Sequence, residues 1–257
     1  MIKHLVDFLL TSEPFPYFIV DDQKTTMKKT IVKFLSLLAL PVVFAACDKD
    51  DDDNDMSKSN VMVIHASPNA PNVDVRINNA IALTNVAYPN NSNYAELNSG
   101  STNIKVSPTG TITYVIDATV DLAANKNYSV FAIDSVSKIK PAVVMDDLST
   151  PAAGKAHIRF FHFSPNAPAV DIAVTGGSVL FGNRSFNDQA TNTSLANFTP
   201  VNAGSYNLEV RAAGTNTVVL LLPNIPLTAG KIYTVFAKGF LGGTGAQALG
   251  AQVIANN

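Results

Sequence analysis

The sequence predicts an all-β protein: two tandem β-sandwich domains, immunoglobulin-like or transthyretin-like, behind a signal peptide and an acidic linker. Three observations carry that prediction. A decapeptide occurs twice, HASPNAPNVD at residues 65–74 and HFSPNAPAVD at residues 162–171. Around each copy, short and largely apolar runs are separated by Gly, Pro and Asn at intervals of about 8–12 residues, the spacing of sandwich strands. Beyond residue 58 the charge is thin and balanced, ten acidic against eleven basic residues, amid abundant Thr, Ser, Asn, Ala and Val, a composition that suits strands and turns.

In chain order, residues 1–26 come first. Asp21 and Asp22 stand where the basic end of a signal peptide belongs, so Met27 is expected to be the true start and residues 1–26 a mis-called extension. From Met27 the pattern is that of a secretory signal over residues 27–46: Lys28, Lys29 and Lys33, then an apolar run from Phe34 to Phe44, then small residues. The run is shorter than the roughly 20 residues that a membrane-spanning helix needs. It ends at Cys47, the one cysteine of the chain, so there is neither an intrachain disulfide nor a cysteine-based metal site.

Ala45, Ala46 and Cys47 resemble the lipobox of bacterial lipoproteins, although Phe44 stands where that family usually has Leu; looser variants are common in the Bacteroidetes. The resemblance implies acylation of Cys47, cleavage before it, and a membrane as partner through the lipid. Two or three acyl chains, each methylene contributing about 0.8 kcal/mol, hold a protein at a membrane durably. The alternative is ordinary cleavage after Ala45, which leaves a soluble protein with a free thiol. Residues 47–59 form an acidic linker, with six acidic residues and two lysines between Asp48 and Lys58. Such a run reads as a self-repelling tether. It also resembles the acidic export signal of surface-exposed Bacteroidetes lipoproteins, which implies the outer membrane and the cell surface, with a periplasm-facing position as the alternative. It lacks the central glycine and terminal glutamate of a calcium loop.

The decapeptide is part of a longer repeat. Residues 99–111 pair with 203–215 and residues 125–134 with 230–239, the offset drifting from 97 to 104 and 105. A loop insertion in the second copy, between Asp171 and Gly204, accounts for the drift. A period near 100 is too long for a solenoid repeat, so two homologous modules are expected, over residues 60–150 and 151–257, joined near residues 146–155. In IRFFHF, residues Ile158, Phe160 and His162 fall on one face and Arg159, Phe161 and Phe163 on the other; VMVIHA repeats the arrangement with Val61, Val63 and His65. Strands apolar on both faces belong inside a sandwich or under a neighbouring domain, and TVVLLLPNIPL and NYSVFAI share the pattern. No amphipathic helix is expected after Cys47.

Within the decapeptide, Pro68 and Pro71 fix φ and remove donors, while Asn69 and Ser67 suit a tight turn. The candidate structural motif is therefore His65, Ser67 and Asp74, with His162, Ser164 and Asp171 in the second copy. His65 and Asp74 are expected to bond each other or to satisfy loop amides. A nucleophilic triad of the same residues lacks a strand-to-helix elbow and an oxyanion-hole glycine cluster. No catalytic residue, metal or cofactor is assigned, the half metal site of His65 and Asp74 being the weaker alternative.

The decapeptide, together with AGSYNLEVRAAGT and GKIYTVFAKG, resembles a bacterial domain-of-unknown-function family, number 4397, from residue 60 to about residue 240. Both copies carry Asn (Asn69, Asn166) where Asp is common. The resemblance implies extracytoplasmic β-rich modules, often in tandem and lipid-anchored, and no catalytic residues. Other features are weaker. GFLGGTGAQALG has no Lys-Ser/Thr to hold phosphate and reads as a hairpin or loop. His157 stands alone. Asp134-Ser135-Val136 resembles a short O-glycosylation signal, and Tyr94, Tyr114 and Tyr206 are candidates for a carbohydrate platform in a chain without Trp.

The balanced charge excludes nucleic acid as an expected partner. What is left is a non-enzymatic, lipid-anchored envelope protein that binds a glycan or protein ligand or organises the surface. One alternative is an envelope glycan-active enzyme, with Asp74, Asp171, Glu96 and Glu209 as candidate carboxylates. The other is a structural spacer or assembly subunit.

Overall fold

The computed structural model describes residues 57–257. Residues 1–26, the signal segment, Cys47 and the acidic run up to residue 56 lie outside the described residues. The first module contributes β1 (Lys58–His65), β2 (Val73–Ile77), β3 (Ala80–Val86), β4 (Ala95–Asn98), β5 (Gly100–Pro108), β6 (Ile116–Leu122), β7 (Asn127–Ile133) and β8 (Lys140–Asp146). The second contributes β9 (Lys155–His162), β10 (Val170–Val174), β11 (Val179–Arg184), β12 (Thr199–Asn202), β13 (Gly204–Ala212), β14 (Val218–Leu227), β15 (Ile232–Lys238) and β16 (Gly250–Ala255). Helical structure among the described residues is confined to four short 3₁₀ turns. The protein is all-β, as the turn spacing indicates.

Each module folds into two four-stranded sheets, ordered β4-β1-β7-β8 and β3-β2-β5-β6 in the first and β12-β9-β15-β16 and β11-β10-β13-β14 in the second. The strand order is thus repeated in full. It includes one parallel pair in each module, β1 with β7 and β9 with β15. In an immunoglobulin sandwich the first and second strands share a sheet. Here they lie in opposite sheets, which excludes that member of the two sandwich types the sequence allows. The insertion that shifts the repeat lies between β11 and β12, where residues 185–198 carry two 3₁₀ turns; the first module crosses the same gap with residues 87–94.

Period-2 alternation places the apolar residues in three cores. Val61 and Val63 on β1, with Tyr128 and Val130 on β7, face Val75, Ile104 and Val106 inside the first sandwich. Ile158 and Phe160 on β9, with Val235 on β15, face Ile172, Leu208 and Val210 inside the second. The intervening residues, Met62, Ile64, Phe131 and Ile133 from one module and Phe161, Phe163 and Phe236 from the other, form a third core between the modules. The β1–β7 and β9–β15 sheets therefore pack on each other, and four phenylalanine rings meet there at centroid distances of 4.9–6.1 Å. This accounts for strands that are apolar on both faces. TVVLLLPNIPL departs from that expectation: β14 is the edge strand of an outer sheet, with Val219 and Leu221 half or more exposed. Pro223 and Pro226 lie on it, as is usual for prolines in an edge strand.

One polar network sits in this seam. The Arg159 guanidinium, fully buried, donates to Asp146 Oδ1 at 2.6 Å and to Thr234 Oγ1 at 2.8 Å. Ser129 and Tyr94 hydroxyls donate to Asp146 Oδ2 at 2.7 and 2.6 Å, and Asn256 bonds both Thr234 and Tyr94. Phe198 and Phe161 lie against the guanidinium, 4.3 and 4.8 Å from its carbon to their ring centroids. Burial pulls the Arg159 pKa down and the adjacent Asp146 carboxylate opposes that. Burial, followed by Asp146, raises that of Tyr94.

The pairings align Met62 with Arg159, Ser129 with Thr234, Asp146 with Asn256 and Tyr94 with Phe198. The Ser129–Asp146 bond of one module is thus repeated as Thr234–Asn256 in the other. Each buried phenylalanine contributes about 1.5–3 kcal/mol, whereas a buried ion pair roughly breaks even against an apolar isostere. The rings therefore drive the association, and the ion pair fixes its register.

Removing one partner should be far worse than removing both. Arg159→Met alone strands Asp146 and is expected to cost about 3–5 kcal/mol in urea denaturation. The double variant Arg159→Met/Asp146→Asn, which gives each module the residue that the other carries at the equivalent position, should recover most of that loss. A double variant as unstable as the single one would contradict the pairing.

Candidate functional site

The decapeptide joins β1 to β2, and its second copy joins β9 to β10. His65 is buried at the end of β1. A carbonyl can only accept, so the contact of His65 Nε2 with Pro71 O at 3.0 Å places the proton on Nε2, and Nδ1 accepts from Ser67 N–H at 3.4 Å. His162 Nε2 donates to Pro168 O at 3.1 Å in the same way. Burial lowers the pKa of both imidazoles, and the proline carbonyl only partly offsets it. Above the ordinary imidazole value of 6.5 both rings are therefore neutral.

Histidine and aspartate do not bond each other. Asp74 accepts from Gly110 N–H and Asn85 N–H, both at 2.9 Å, and these amides hold its carboxyl below the ordinary value. Asp171 accepts from Gly214 N–H at 2.8 Å and Asn183 N–H at 2.6 Å. Asn85 and Asn183 have φ of 56° and 49° where the second hairpin strand bulges, and Gly110 and Gly214 lie in the turns after β5 and β13 with φ of 76° and 72°. Asn69 Oδ1 accepts from Val136 N–H, and Asn166 Oδ1 from Leu241 N–H, each at 2.8 Å. Each decapeptide therefore ties three other segments of its sandwich: the bulge, the turn after β5 or β13, and the loop after β7 or β15. The asparagine role was not foreseen from sequence. Its signal was the presence of Asn in both copies at one position.

This arrangement does not assemble a nucleophile. The Ser67 and Ser164 hydroxyls are buried and have no hydrogen-bond partner among the described residues, so neither reaches its histidine. Of the other candidate carboxylates, Glu96 is exposed on β4 and Glu209 is paired with Arg211 on β13. Asp74 and Asp171 belong to different sandwiches and are occupied by backbone amides. Among the described residues, no three of His, Cys, Asp and Glu come together as metal ligands would.

The three tyrosines serve separate places. Tyr94 belongs to the seam, Tyr114 packs against Lys105 and Arg76, and Tyr206 donates to Asn202 O at 2.8 Å. Asp134, with φ of 77°, ends β7 and accepts from Ser135 N–H. GFLGGTGAQALG is the β15–β16 connection, where a Cβ on Gly239 would lie 2.1 Å from Ala248 O. His157 is half-buried in a polar cleft of about 810 Å³ along the seam, together with Lys126, Asn127, Asp147 and Phe198.

Residues 59–173 match the family described as a domain of unknown function (DUF4397). The match runs from β1 through the second decapeptide into β10. A search of the curated proteins finds no match to the chain.

The neutral histidines set a pH dependence. Their folded pKa values lie below the ordinary 6.5, so below that pH the unfolded chain binds more protons than the folded one, and stability falls with acidification. Asp74 adds to this only near and below its ordinary 3.8. The thermal midpoint is expected to be lower at pH 5 than at pH 7, and His65→Gln/His162→Gln should flatten the difference. A wild type equally stable at both values would contradict the assignment.

Proposed function

We propose that the chain is a non-enzymatic cell-envelope protein, anchored through lipid on Cys47, whose two sandwiches act as one stiff body for ligand binding or surface organisation. The second sandwich, which repeats all eight strands, is in this proposal a second module of the same family. The observation that carries it is the seam: a buried aromatic core with an Arg159–Asp146 pair at its centre fixes one module on the other. A body joined in this way suits presentation at a distance from a membrane. The acidic residues 48–58 supply a solvated tether between lipid and fold. Binding in place of chemistry is favoured by the decapeptides, whose histidines and aspartates are consumed by backbone groups. The polar seam cleft offers amide, ammonium and carboxylate groups to a glycan or a protein loop. The outer face of the outer membrane is the proposed location.

Protease shaving of intact cells, with blotting of membrane and medium fractions, tests this. Wild type is expected in the membrane fraction and cleaved from outside, while Cys47→Ala should lose its anchorage. Membrane retention of Cys47→Ala would overturn the anchor, and protection of wild type would place the protein on the periplasmic face.

A further inference from the structure

Between the two sheets of the second sandwich, at the end where its decapeptide lies, a cavity of about 190 Å³ opens. Its walls are Phe160, Pro168, Val170, Val210 and Leu220, with the neutral His162 ring, whose Nε2–H is already committed to Pro168 O. Two of the exposed large apolar residues of the chain, Val219 and Leu241, 50% and 55% exposed, also line it. The repeat shows where the space comes from. Wall positions Ala212 and Ala251 correspond in the first sandwich to Pro108 and Pro141, both bulkier.

We propose that this cavity binds a small uncharged apolar molecule, a single aromatic ring or a branched alkyl group of similar bulk. Size and lining decide the class. Apolar cavities of about 150 Å³ stay dry and take up benzene, whereas pockets for drug-sized ligands begin near about 300 Å³. The lining side chains carry no charge, and the unpartnered Nδ1 of His162 is an acceptor that cannot pair with an anion, so an anionic ligand of the same shape is rejected by desolvation. The apolar side chains of Val219 and Leu241 extend the lining to solvent-exposed positions, where such a ligand can enter. This site is independent of the seam cleft and of the lipid anchor.

The test uses the whole purified chain, with toluene as probe and benzoate as its charged counterpart. Toluene is expected to raise the thermal midpoint and to show saturation transfer from the protein in NMR; benzoate should do neither. Ala251→Leu, which fills the cavity, should abolish both signals. Leu241→Asp changes an exposed side chain without burdening the core, and should weaken toluene binding about tenfold or more. The proposal is overturned if toluene neither shifts the midpoint nor receives saturation, if benzoate matches it, or if Leu241→Asp binds toluene as wild type does.

Discussion

The central strands of the inner sheets are largely apolar on both faces, and the rest of the structure follows from that constraint. On β1, β7, β9 and β15 every second side chain fills a sandwich, and the residues between them include Met62, Ile64, Phe131, Phe161, Phe163 and Phe236. A sandwich standing alone would expose that second set as one apolar patch, which soluble surfaces rarely tolerate. Packing the two inner sheets together removes it. Apolar contact is non-directional, however, and would permit sliding. Arg159 and Asp146 are satisfied in one register, because any slip strands a buried charge.

The two halves of the seam repeat one strand order, and they differ where the seam is specific. The hydroxyl-to-acceptor bond occurs in each module, as Ser129 with Asp146 and Thr234 with Asn256. One sandwich has Met62 where the other has Arg159, and one has Asp146 where the other has Asn256, so the two faces are complementary at these positions. The two decapeptides differ little by comparison. The histidine braces the decapeptide itself, the asparagine holds the loop after β7 or β15, the aspartate holds the bulge and the turn, and these roles recur in both sandwiches.

Much of the fold was legible because it rests on local periodicity. Alternation identified the strands, Gly, Pro and Asn the turns, and the drifting offset the insertion before β12. The decapeptide could be read as architecture from its prolines. What could not be read were the partners, since hydrogen bonds such as Asn69 to Val136 or Arg159 to Asp146 join residues that only the sheet order brings together. Asp146 looked like part of a linker, and it is the buried last residue of β8. A signal was present all the same: Arg159 alternates with Phe161 and Phe163 on one face of a thinly charged chain, and an arginine on such a face needs a buried anion. The outward side of β14 was misjudged for a related reason, as burial on both faces and an exposed edge give the same apolar run.

The central claim is that the seam makes the two sandwiches one cooperative body. Differential scanning calorimetry of the chain tests it most directly. One transition, with calorimetric and van't Hoff enthalpies in agreement, is what a shared core predicts. Two resolved transitions, or a calorimetric enthalpy well above the van't Hoff value, would show that the modules unfold independently and that the seam is an incidental contact.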